Sequence, residues 1–213
     1  MLKIWGRKTS INVQKAMWAV GELGLVYRRE DVGGPFGGLD RPEFVELTPH
    51  RLIPTLQDGE AVVWESNAIV RYLAARHGVG SLWPDDPAAR ARSDQWMDWL
   101  LTTLYPPFIA VFLGLVRTAP SRRDTNAIKG ASLATGALMG ILDRHLESQA
   151  YIAADHLTMG DIPVGATLYR YFTLEIERPS LPNLEDYYAR LEERAAYREH
   201  VMVPYDDMRV TDD

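Results

Sequence analysis

The turn RKTSIN, residues 7–12, sets Thr9, Ser10 and Asn12, two hydroxyls and an amide, immediately before a run with helical spacing. Side chains of these types cap a helix by accepting from its first N–H groups, and a helix start can also hold an anion. A second such place is WESNAI, where Glu65 and Ser66 open another helix; there Ser66 suits an N-cap and Glu65 the positive end of the helix dipole. Between the two lie a basic pair, His50 and Arg51, and then Ile53 and Pro54 ahead of a strand. On their own, His50 and Arg51 read as a solvated basic loop. Pro54 reads as an ordinary trans residue, because only about 5–6% of X-Pro bonds in folded proteins are cis. The chain has no cysteine. No thiol of its own can act as a nucleophile or bind zinc, and any thiol chemistry needs a borrowed thiol.

Hydrophobic spacing supplies the elements that must position these residues. LKIW, residues 2–5, is a short apolar run closed by Gly6, and after the turn Val13, Ala16, Met17 and Val20 recur at helical spacing. Residues 25–32 suggest a second strand, a Gly- and Pro-rich loop follows, and PEFVEL is a short helical patch. Asp58-Gly59 between two strand-like segments predicts a hairpin whose tight turn has positive φ at both central residues. The next helix begins at Ser66 and Asn67, carries Ile69, Tyr72 and Leu73 on one face and stops at Gly78. The order is βαβαββα. Residues 79–87 read as a linker, and from Ala88 onward only helical patterns remain, with Trp96, Trp99, Leu100, Thr103 and Leu104 on one face and Leu138, Ile141, Leu142 and Leu146 on another. Pro106-Pro107 should kink or interrupt the first of these helices. Thr158 and Asp161, three apart, form a Thr/Asp variant of the capping box at a buried helix start.

Length and charge limit the function classes. At 213 residues with 46% apolar content, the chain can bury a core in one large domain or two modest ones. A net charge of −6 argues against nucleic acid, whose binders concentrate basic side chains on one face. Ten basic and nine acidic residues lie up to Gly78, so the acidic excess falls after it. The N-terminus lacks the apolar centre of a signal peptide, and no apolar run is read as reaching the roughly 18 residues that span a bilayer. A cytoplasmic protein without a membrane partner is expected.

Four colinear stretches, WGRKTSINVQK, LIPTL, WESNAIVRYLA and LTMGDIP, together with WMDW and PNLEDYYARLEERAAYREHV, resemble the cytosolic glutathione transferases, bacterial members related to the theta and nu classes. The likeness runs from Met1 to about Pro204. It implies a thioredoxin-like α/β N-terminal domain over 1–78, a linker over 79–87 and an all-α C-terminal domain over 88–213. It implies glutathione as co-substrate, no metal, a small electrophile as partner, a role in detoxification and a homodimer. By the same resemblance the bond before Pro54 is cis, presenting the N–H and C=O of Ile53 to the cysteinyl amide as an added strand would. Ser66 and its helix start receive the γ-glutamyl carboxylate, and Glu65 pairs with the α-amino group. His50 or Arg51 meets the glycine carboxylate. Arg51 stands where relatives usually have Gly, which leaves the loop and that choice open.

Glutathione must react as a thiolate, although a free thiol titrates near pH 8.5. Lowering that pKa by about two units needs roughly 2.7 kcal/mol of preference for the charged form. A helix dipole typically supplies about 0.3–1 kcal/mol and a charge-assisted hydrogen bond about 1.5–3 kcal/mol, so a donor in the turn is required. Thr9, Ser10 and Asn12 are on offer; Ser10 is the theta-type hydroxyl, favoured over Asn12, the amide that nu-type members use beside a Thr. Tyr105, Phe108 and Phe112 are candidate walls of an electrophile pocket in the cleft between domains, though their spacing fits core equally. Conjugation to small hydrophobic electrophiles is the leading expectation. The alternatives are a nu-type glutathione-dependent disulfide or peroxide reductase and a non-catalytic glutathione or ligand binder.

Overall fold

A computed structural model of the chain describes residues 1–212. The described residues divide into two compact units, one of residues 1–90 with 193–203, the other of residues 91–192 with those from 204 onward. The return of 193–203 to the first unit is a feature that a cut near residue 88 does not carry.

In the first unit, β1 (Leu2–Trp5), α1 (Ile11–Glu22), β2 (Tyr27–Glu30), α2 (Pro42–Leu47), β3 (Thr55–Asp58), β4 (Ala61–Trp64) and α3 (Ser66–His77) follow the βαβαββα order. The sheet runs β2-β1-β3-β4, with β1 parallel to β2 and antiparallel to β3, and β3 antiparallel to β4. Parallel strands need a crossover, and α1 supplies it. Leu2 and Ile4 are buried on β1 and Leu56 on β3, while α1 is buried almost all round from Val13 to Val20. That all-round burial marks a core helix rather than a surface one. The segment 193–203 helps to enclose it: Trp18 meets Tyr197 edge-on at 4.8 Å, and Arg194 pairs with the Glu22 carboxylate through Nε at 2.8 Å and Nη2 at 2.6 Å.

The hairpin differs in register from expectation. Asp58 pairs with Ala61, so the central residues are Gly59 and Glu60, and only Gly59 has positive φ, at 62°. Asp58 instead ends β3 and holds α3, accepting from Tyr72 Oη at 2.9 Å and pairing with Arg76 Nε at 2.9 Å. Ser66 is likewise the first helical residue of α3, with Glu65 at the N-cap position.

The second unit is helical, as the spacing indicated. It is built on α4 (Pro87–Trp99), α5 (Tyr105–Val116), α6 (Thr125–Leu146), α7 (Asp161–Thr173) and α8 (Pro182–Glu192); α9 (Ala195–His200) lies in the returning segment. The proline pair does not end its helix. Leu100–Leu104 forms a π-helical turn between α4 and α5, in which Tyr105 N–H reaches back to Leu100 C=O, so the helix runs on from residue 87 to 116. Shifting the bonds from i−4 to i−5 just before two residues without N–H absorbs the interruption.

By length and composition this 30-residue helix passes for a membrane span, with a window of mean hydropathy 1.8, which corrects the expectation of no such run. Residues 99–116 carry no charge. Its inner face, Met97, Leu100, Leu104, Phe108, Val111 and Phe112, is fully buried, and a core helix meets the same criterion. Of the expected faces, Leu100 and Leu104 here and Leu142 and Leu146 on α6 are buried, while the other positions are not. Trp96 and Trp99 are half-buried beside Met97, and on α6 Met139 is inside while Ile141 is exposed.

Half of the capping box is present: the Asp161 carboxylate reaches back to Thr158 N–H, while α7 itself starts at Asp161 with Gly160 as its N-cap residue. Thr158 N–H donates to Asp161 Oδ2 at 2.8 Å, Gly160 N–H donates to Thr158 Oγ1 at 3.3 Å, and both side chains are fully buried. Asp161 Oδ1 also accepts from Ile152 N–H and Tyr187 Oη.

Candidate active site

The turn after β1 is held by backbone bonds from Gly6 N–H to Glu30 C=O and Arg7 N–H to Val32 C=O, which continue the β1–β2 pairing. Gly6 is required there: φ is +147°, and a Cβ would come within 2.4 Å of Val13 Cγ2 and 3.3 Å of Ile53 Cβ. The same glycine thus lets α1 and the Ile53-Pro54 loop approach the end of β1. Gln14 Nε2 donates to Lys8 C=O at 3.2 Å, which tightens the turn further.

Ser10 is the N-cap residue of α1 in extended conformation, φ −82° and ψ 122°, and its C=O accepts from Gln14 N–H at 2.9 Å. Its hydroxyl makes no capping bond, and among the described residues it has no hydrogen-bond partner. Asn12 is engaged differently. Its Oδ1 accepts from Ser66 Oγ at 3.3 Å and from Lys15 Nζ at 3.1 Å. Thr9 is half-buried in the same turn.

The Ile53-Pro54 bond is cis. Among the described residues no other backbone group pairs with the N–H or C=O of Ile53. Glu65 adopts φ 68° and ψ 116°, an unusual conformation for a residue with a side chain. Such outliers cost about 1–3 kcal/mol and cluster at functional sites. Ser66 beside it is buried at the first position of α3, where unpaired N–H groups and the helix dipole favour an anion.

The basic pair divides. His50 is fixed, with Nδ1 2.6 Å from Thr48 Oγ1, its ring 4.6 Å from that of Trp64 and Nε2 3.8 Å from Glu65 Oε1. Arg51 is exposed and has φ 53°. The left-handed backbone that a glycine would adopt without strain is therefore kept here with an arginine on it.

One residue escaped the sequence reading. Lys15 is fully buried on α1, and burial lowers its pKa to about 8 against the opposing pull of the Glu65 carboxylate. The available signal was that Lys15 is the lone cation between Lys8 and Arg28 and directly precedes the apolar run from Ala16 to Val20.

The three aromatic candidates lie in the second unit. Phe108 and Phe112 are each 1% exposed, and Arg170 covers the Phe112 ring at 4.3 Å while Tyr205 meets it edge-on at 5.4 Å. These two are core. Tyr105 alone of the three keeps some exposure; burial raises its pKa, against an opposing effect of Arg170. Among the described residues no group of three or more His, Cys, Asp or Glu side chains is placed to hold a metal.

Residues 9–76 match the family model described as glutathione S-transferase, N-terminal domain. The chain is 39% identical over 206 residues to glutathione S-transferase GstB of Escherichia coli strain K12, covering 96% of this chain and 99% of that one. The chain belongs to the glutathione S-transferase family. Among solved structures, the transferase fold here superposes with TM-score 0.92 on the theta class glutathione S-transferase of Xanthomonas axonopodis pv. citri with glutathione bound, 46% identical over 95% of this chain and 98% of that one. A delta-class glutathione transferase of Nilaparvata lugens is 27% identical with TM-score 0.83, covering 94% of this chain and 92% of that one.

Proposed function

We propose that this transferase binds glutathione in its first unit and conjugates its thiolate to small hydrophobic electrophiles. The observation that carries the reading is the Ser10 hydroxyl, at the start of α1 and unused by the helix it precedes. A hydroxyl donating to a thiolate there adds about 1.5–3 kcal/mol to the dipole's contribution, enough to bring a thiol pKa from near 8.5 toward neutrality. Asn12 Oδ1 is already an acceptor for two donors, which favours Ser10 as the residue facing sulfur. The N–H and C=O of Ile53 are suited to pairing with the cysteinyl amide. The α3 start with Ser66 suits the γ-glutamyl carboxylate and Glu65 the α-amino group, while His50 rather than exposed Arg51 is the fixed basic group nearby. The relative from Xanthomonas with glutathione bound supports this use of the fold.

With a chlorinated nitroaromatic, the thiolate sulfur forms a bond to the carbon bearing chlorine, chloride leaves with the bonding pair, and the thiol proton is lost to solvent. Turnover that requires glutathione is the expected result. A flat trace with several electrophile classes would refute conjugation, and glutathione binding without any turnover would point to a non-catalytic binder. The engaged Asn12 keeps one second reading open to test: reduction of a disulfide by two glutathiones, which leave as glutathione disulfide. That activity would survive Ser10→Ala and fall with Asn12→Ala.

The proposal extends to a cytoplasmic enzyme, since glutathione is the thiol reductant of that compartment. It also extends to a homodimer. Sedimentation at micromolar concentration should give twice the 24.1 kDa chain mass, and a monomer would refute it.

A further inference from the structure

Lys15 shares the Asn12 amide oxygen with Ser66 and interacts electrostatically with Glu65, and nothing in the proposed thiolate chemistry calls for a buried cation there. Lysine is almost never fully buried unless paired, and a well-packed apolar side chain in its place is often neutral or stabilising. Lys15 nevertheless has no exposed surface. Its ammonium can only donate, so the atom it meets at 3.1 Å must be an acceptor. This fixes which way the Asn12 amide faces: the oxygen is turned to Lys15, and the same oxygen receives Ser66 Oγ at 3.3 Å. One acceptor atom therefore ties the middle of α1 to the first residue of α3.

The charge has its own effect. The Glu65 carboxylate, which suits an incoming ammonium, would repel an incoming carboxylate at the neighbouring helix start. A buried cation within reach of Glu65 offsets that repulsion and lets one small site accept both charges of an amino acid end group. At pH 7 Lys15 keeps its proton, because burial brings its pKa down only to about 8.

We propose that Lys15 is a positioning residue for the γ-glutamyl end of glutathione, acting through Asn12 on Ser66 and through its charge on Glu65. The inference rests on the glutathione reading above, and the test separates the two. Calorimetric titration of the full-length protein would compare S-hexylglutathione with S-hexylcysteinylglycine, which lacks the γ-glutamyl group. If the wild type binds neither, the glutathione reading itself fails.

Given wild-type binding, Lys15→Met should weaken S-hexylglutathione about tenfold or more and leave S-hexylcysteinylglycine within about twofold. Its melting temperature should match or exceed the wild type, because a buried charge is removed. Equal losses on both ligands, or no loss on either, would overturn the proposal. Should Lys15→Met not fold, Lys15→Gln keeps a donor for Asn12 without the charge. An intermediate fall in the preference for the γ-glutamyl ligand is then expected, and a preference equal to the wild type's would overturn the proposal.

Discussion

Ser10→Ala deletes a donor that α1 does not use, so its effect should fall on the ligand and not on the fold. Losing a charge-assisted hydrogen bond of about 1.5–3 kcal/mol should raise the pKa of the bound glutathione thiol by about 1–2 units. Thiolate absorbance titrated against pH reads this directly; an unmoved pKa would transfer the role to Asn12. Arg51 supports a different kind of prediction. Its φ of 53° costs about 1–2 kcal/mol for a residue with a Cβ, while glycine costs about 0.4–1 kcal/mol in the unfolded chain. Arg51→Gly should therefore leave stability unchanged or raise it by up to about 1.6 kcal/mol in urea denaturation. The departure from the family's usual glycine was legible in the sequence, whereas its meaning was not, because φ is a property of the folded loop. Lys15 shows the opposite limit. Its residue type argues for the surface, and only the packing of α3 and the returning segment around α1 puts it inside.

At the scale of elements, the order of strands and helices was legible because period-2 and period-3.6 patterns alternate with Gly and Pro punctuation. Boundaries were not. The Asp58-Gly59 signal placed the hairpin, and the register moved by one: Asp58 ends β3 paired with Ala61, and its side chain is engaged by Tyr72 and Arg76. The π-helical turn could not be read from Pro106-Pro107, since a proline pair specifies lost donors and not how the chain reroutes the carbonyls. Phe108 and Phe112 followed the same spacing whether core or pocket wall, and their burial decided it. Gly6 is where element packing and the site meet. Gly6→Ala would place a methyl 2.4 Å from Val13 Cγ2 at a φ of +147°. Overpacking of about 1–3 kcal/mol and a strained backbone of about 1–2 kcal/mol should together lower stability by about 2–5 kcal/mol. A midpoint of denaturation unchanged from the wild type would mean that α1 can move away from β1 without penalty.

For the whole molecule, charge state links the site to stability. Two basic groups of the first unit have folded pKa values below their ordinary ones. His200 is lowered by burial, with Glu199 opposing and Arg29 reinforcing, and Lys15 is lowered to about 8 by burial, with Glu65 opposing. A base whose pKa is depressed on folding binds fewer protons in the folded chain than in the unfolded one across the window between the two values, so stability rises with pH there. For His200 the window lies below 6.5, and its stabilising contribution is complete above 6.5 and lost as pH falls through the folded value. For Lys15 the window runs from about 8 to 10.5. Stability from denaturant titrations should therefore climb in two steps, one ending near pH 6.5 and one beginning near pH 8. His200→Gln should flatten the first step and leave the second, and Lys15→Met should do the reverse. A wild-type profile that is level from pH 8 to 10, or one on which Lys15→Met has no effect, would mean that Lys15 exchanges its proton as freely as a surface lysine and carries no buried charge at neutral pH.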